Sequence, residues 1–186
     1  MQTWEIATII VVALIAAAAL AWTFYNRQQT RRLRTHFGTE YDRTVSEFGD
    51  RRQAESNLRR REARVNKLDI RPLSVAEQKR FQTEWTVCQS HFVDDPVDAV
   101  YQADELVLQI MRARGYPAGD VLERFEDISA VYPWVTTDYR NAREIVARHR
   151  HGNASTEEMR QAMVHYRKIF NELLSEGRHE EFKRAS

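Results

Sequence analysis

A handful of side chains in this sequence are of types that do chemistry. His149 and His151, with His165 further along, carry imidazole nitrogens of the kind that bind zinc or move protons. Residues two apart on a helix point in different directions, and no cysteine or carboxylate pattern completes a ligand set, so the spacing argues against a metal centre. Asp94, Asp95 and Asp98 would attract a cation, yet an acidic cap at a helix start explains them with fewer assumptions. Arg59, Arg60 and Arg61, with Arg64 and Lys67, are the densest basic cluster. They lack interleaved aromatics or a recognisable reader module, so a solvated helix face is expected and nucleic acid is not an expected partner. Cys88 is the sole cysteine and fits a small apolar position on a helix face. Glycine-rich phosphate loops, nucleophile elbows and zinc motifs do not occur, so no catalytic residue, cofactor or metal ligand is assigned.

The elements that would position these residues are helices. Leu33, Phe37, Tyr41, Val45 and Phe48 form an apolar stripe, weakened at Gly38 and broken at Gly49-Asp50. A second segment, about residues 51–68, carries Ala54, Leu58, Val65 and Leu68 as a thin seam with Arg61 inside it. Pro72 interrupts, and Ser74 with Glu77 has capping-box spacing ahead of Phe81, Trp85, Cys88 and Phe92. Asp95-Pro96 starts the next helix, in which Ala103 or Asp104 continues the stripe; Arg112 and Arg114 end it before Gly115. Further helices follow Pro117 and begin near Thr137 and Ser155, the last running to Gly177 with Met159, Met163, Tyr166 and Phe170 inward. Trp85 and Trp134 are expected in the core. Strand-like alternation is missing, so the fold class is all-α.

The longest apolar stretch covers residues 6–25, from Ile6 through Ile15 to Tyr25, and no charge interrupts it. At about 1.5 Å rise per residue it matches the roughly 30 Å of bilayer hydrocarbon, so it is expected to be a transmembrane anchor. Trp4, Trp22 and Tyr25 sit where amphipathic rings favour the headgroup layer. Arg27, Arg31, Arg32 and Arg34 follow, and positive charge beside a span holds that side in the cytoplasm. The expected organisation is a short leader (1–5), the anchor (6–25), a basic juxtamembrane segment (26–68), a bundle of about four to five helices (69–176) and a polar, frayed tail (177–186). A cleaved secretory signal is the competing reading, since residues 16–21 are mostly small. It wants a basic leader and a shorter apolar stretch than this chain has.

Charge is unevenly distributed. Residues 27–71 hold 13 Lys or Arg against 7 Asp or Glu, whereas residues 72–186 hold 15 against 19. The basic part could contact anionic lipid headgroups, at about 1 kcal/mol per basic group near the surface, or only fix topology.

Six ordered blocks carry a resemblance: 37–42 (FGTEYD) with 49–52 (GDRR), 70–74 (IRPLS), 92–96 (FVDDP), 112–117 (RARGYP) and 160–167 (RQAMVHYR). Together they resemble a family of bacterial membrane-anchored or exported helical proteins with no assigned function. The resemblance implies a membrane location, leaves the side of the membrane open, and implies no reaction, cofactor or catalytic residue. The expected function is a non-enzymatic interaction or scaffold module whose partners are the lipid bilayer and a protein of unknown identity; the alternative is a tethered ligand-binding or enzymatic helical domain.

Overall fold

The computed structural model describes residues 3–117, 119, 121–150 and 155–185, and of residues 3–10, 121, 122, 150 and 176–185 the backbone alone. The fold is all-α, with no strand among the described residues. In chain order the helices are α1 (Thr3–Phe37), α2 (Thr39–Phe48), α3 (Arg51–Val65), α4 (Val75–His91), α5 (Pro96–Ala113), α6 (Val121–Val131), a 3-10 turn (Pro133–Val135), α7 (Thr136–Arg150) and α8 (Thr156–Ala185). They form two compact units, Met1–Leu58 and Arg59–Ser186, and the division falls inside α3.

In the first unit the stripe expected as one helix is two. Gly38 takes φ +53°, a left-handed conformation that side chains disfavour, and it separates α1 from α2. Leu33 and Phe37 of α1 and Tyr41 and Thr44 of α2 are buried. A polar knot ties all three helices: the Glu55 carboxylate accepts from Thr30 Oγ1 at 2.8 Å, from Tyr41 O–H at 2.9 Å and from Arg51 Nε at 3.1 Å. Burial opposes the Glu55 charge, but those bonds and the Arg51 charge outweigh it and hold the carboxyl below its ordinary range.

Residues 11–25 of α1 are exposed instead. Val12, Leu14, Ile15, Leu20, Trp22, Phe24 and Tyr25 are all exposed. Among the described residues no helix is long and apolar enough to cross a membrane. The side chains of residues 6–10, with which the expected span begins, Ile6 included, lie outside the described residues.

In the second unit α5 is the centre. It packs on α4 and α8, α8 also packs along α7, and α6 with the 3-10 turn closes against α7. Ala99, Val100, Ala103, Leu106, Val107, Ile110 and Met111 make α5 apolar over a broad face, so it buries two sides at once. Trp85 of α4 stacks on Phe170 of α8 with ring centroids 4.6 Å apart. The two expected capping boxes form: Ser74 Oγ accepts from the Glu77 N–H at 3.3 Å, and Ser155 Oγ from the Glu158 N–H at 3.3 Å.

Three expectations are corrected. Trp134 is 61% exposed, not in the core; in the three-residue turn Val135 points inward and its neighbour is turned out. Helix α8 runs past Gly177 to Ala185, because one glycine costs only about 1 kcal/mol and the residues after it are mostly good helix formers. Arg114, expected as a basic residue favouring the helix dipole, is 2% exposed. Its guanidinium donates to the Leu173 carbonyl at 3.2 Å, to the Arg71 carbonyl at 3.4 Å and to the Tyr132 hydroxyl, joining three distant stretches of chain. Gly115 beside it is constrained on two counts: φ is +98°, and a Cβ would sit 2.5 Å from the Asp69 carbonyl oxygen.

Candidate functional site

The first candidate is the exposed length of α1 with its arginines. Residues 11–25 are exposed on every face of the helix. Arg27, Arg31, Arg32 and Arg34 follow in the same unbroken helix, also exposed, and Arg34 pairs with Asp42 at 3.2 Å. Among the described residues, this stretch is the longest run of exposed apolar side chains.

The basic cluster at residues 59–67 divides. Arg59, Arg60 and Lys67 are exposed as expected, whereas Arg61 and Arg64 face α6. Arg61 is buried, donating to Ser129 Oγ at 3.2 Å with Glu126 at 3.6 Å. Arg64 donates to Asp127 at 2.6 Å and to the Glu123 carbonyl at 2.9 Å. Burial raises the Asp127 pKa despite that bond. These two arginines are spent on the fold, which removes them from any phosphate-binding face.

The histidines and aspartates separate in the same way. His165 Nδ1 lies 2.6 Å from Asp138 Oδ1, which also accepts from Lys168 Nζ at 2.9 Å. A carboxylate orienting an imidazole is the base half of a hydrolytic triad. His149 lies on α7, and His151 lies outside the described residues. No group of three or more His, Cys, Asp or Glu is placed to hold a metal among the described residues. Asp95 caps α5 by accepting from Val97 N–H and Asp98 N–H, and Asp98 faces His91 at 3.2 Å. Cys88 is buried, with its thiol directed at the Ala99 carbonyl, and burial pushes its pKa up to about 11, well away from a reactive thiolate.

No family model matches the chain, and no curated protein or solved structure is similar to it. The site must therefore be weighed on its own geometry.

A further polar cluster is centred on Asp104. Asp104 of α5 accepts from Arg143 Nη1 at 2.6 Å and from Tyr166 O–H at 3.1 Å, with Arg124 Nη1 3.8 Å away. Burial, then the Asp104 charge, pushes the pKa of Tyr139 up to about 12, and raises that of Tyr166 as well. The network ties α5, α6, α7 and α8 together. The signal in the sequence was Asp104 itself, a charge at a stripe position.

The second unit also carries open grooves among its described residues. One, of about 440 Å³, lies between α4 and α5, with Leu106 and Cys88 at its floor and Glu84 and Glu105 on its rim. Another, of about 180 Å³, has Phe92, Met163 and Val164 at its floor and Arg160 and Arg167 on its rim.

Proposed function

We propose that this chain is a single-pass, membrane-anchored helical module, non-enzymatic, that holds an interaction or scaffold surface at the cytoplasmic face of a cell membrane. The bare apolar half of α1 supports the reading above all else. Fifteen described residues rise about 22 Å; with residues 6–10, apolar in sequence, the run reaches the roughly 30 Å of hydrocarbon. Left in water, such a rod exposes apolar surface at about 25 cal/mol per Å², so lipid is its favourable surrounding. The arginines that follow favour a cytoplasmic body. The block resemblance to bacterial membrane-anchored or exported proteins implies a membrane location and leaves the side open. Tethering raises the effective concentration of the body toward any other membrane component without a new contact, which gives the architecture its purpose.

A reporter fused to the carboxyl terminus, with membrane fractionation of the same cells, tests this. Cytoplasmic-type fluorescence in a carbonate-resistant membrane fraction is expected. Periplasmic phosphatase activity would give an exported body, and mature protein recovered without its leading stretch would give a cleaved signal. Crosslinking with the full chain tests the interaction role: a body that captures no protein or lipid neighbour argues against it.

The second reading, a tethered ligand-binding or enzymatic domain, draws on the α4/α5 groove and on the oriented His165. Saturable small-molecule binding that shifts the resonances of Leu106 or His165 would favour it.

A further inference from the structure

The four arginines after the apolar run are equivalent in the sequence and unequal in the fold. Arg34 is held by Asp42 at 3.2 Å, and Arg32 is also engaged. Arg27 and Arg31 are exposed and meet no carboxylate among the described residues. Leu20, Phe24, Arg27 and Arg31 succeed one another at intervals of four, three and four, so they lie along one face of α1. On that face Leu20, Ala21, Thr23, Phe24 and Arg27 line a shallow notch. Thr23 turns its hydroxyl back to the Leu20 carbonyl at 2.9 Å, which removes its donor from the notch.

We propose that this face binds a phospholipid with a net anionic headgroup, its acyl chain along the notch over Ala21 and its phosphate between Arg27 and Arg31. The inference rests on the membrane reading above and adds a face and a lipid class to it. The order along the helix, apolar then basic, is the order of tail and headgroup in one leaflet. Arg27 and Arg31 stand one turn apart, about 5–6 Å between Cβ atoms, so both forks reach one phosphate, and arginine meets phosphate oxygens in pairs. A zwitterionic headgroup brings its own ammonium to compete for that phosphate. A net anionic one leaves both guanidinium groups to balance it, and charge decides the preference.

The full-length chain, reconstituted into nanodiscs of phosphatidylcholine with an equal share of phosphatidylglycerol, provides the test. Lipid retained by the protein after mild extraction is quantified by mass spectrometry, and circular dichroism confirms helix content in each variant. Phosphatidylglycerol enriched over its bulk share is expected, falling about fivefold for each arginine removed in R27Q and R27Q/R31Q. R34Q, which breaks only the pair with Asp42, is expected to keep the enrichment within twofold. Retention at the bulk ratio, or an equal loss in R34Q and R27Q/R31Q, would overturn the assignment. Protein that enters no bilayer at all would overturn the membrane reading itself and this inference with it.

Discussion

Arginine does opposite work in the two units. In the first, Arg27 and Arg31 are exposed on α1. In the second, Arg61 and Arg114 are buried and donate to a serine hydroxyl, to carbonyls and to a tyrosine. Apolar side chains show the same inversion: Leu20 and Phe24 are exposed, whereas Phe81 and Phe170 are enclosed. Composition alone does not separate these cases; what separates them is whether neighbouring helices supply carbonyls and methyl groups. The first unit offers its surface to an outside medium, and the second consumes its own.

The widest break between the two would come from aromatic truncation. Phe81→Ala is expected to destabilise the second unit by about 3–5 kcal/mol through lost burial and a cavity. Phe24→Ala is expected to leave that unit's unfolding unchanged and to weaken only membrane partition. Urea denaturation of the full chain in micelles, followed by Trp85 fluorescence with Trp4, Trp22 and Trp134 replaced by Phe, reads the unfolding, and flotation with vesicles reads the partition. Equal effects would erase the distinction.

Next comes Arg114→Met, which removes the donor to the Leu173 and Arg71 carbonyls and the Tyr132 hydroxyl and is expected to cost about 2–4 kcal/mol in the same assay. Arg27→Gln should stay within about 0.5 kcal/mol. Gly115→Ala follows at about 1–3 kcal/mol, from the left-handed backbone and the approach of Asp69; a silent substitution there would show that the 69–71 segment does not need to lie so close.

The subtlest contrast is in pH. Tyr139 keeps its proton up to about 12 in the fold, whereas an unfolded tyrosine releases it near 10. Between those values the folded state binds more protons, so the second unit loses stability as pH rises from about 10 to about 12. Glu55 has the reverse sign. Its carboxyl is depressed in the fold, so its contribution is fully present above the ordinary carboxylate value of 4.5 and is lost as pH falls through the folded one. Hydrogen exchange across both ranges should show α2 loosening in acid and α7 in alkali. Loosening of both at one end alone would contradict the assignment.

The helices were largely legible because their signals are local. Ser74 with Glu77, Asp95 with Pro96 and Ser155 with Glu158 each place a start within a residue or two of where the fold has it. Partner choice was not legible. Arg61 stood in an apolar seam and Asp104 in an apolar stripe, and each marked a buried network whose other half lies tens of residues away. Arg114 gave no hint, because a basic residue before a glycine already has a sufficient local explanation in the helix dipole. Trp134 misled for the opposite reason: its size argued for burial, and the turn begun by Pro133 decided against it.

Between Thr3 and Phe37 the first helix holds neither glycine nor proline. Torsion imposed on residues 11–25 would pass along that helix to the Thr30–Glu55 bond and then to Leu33 and Phe37. Gly38 is the first swivel it meets. A neighbour that grips the outer end and turns it would act as a crank, and the strain would appear first where α1 hands over to α2.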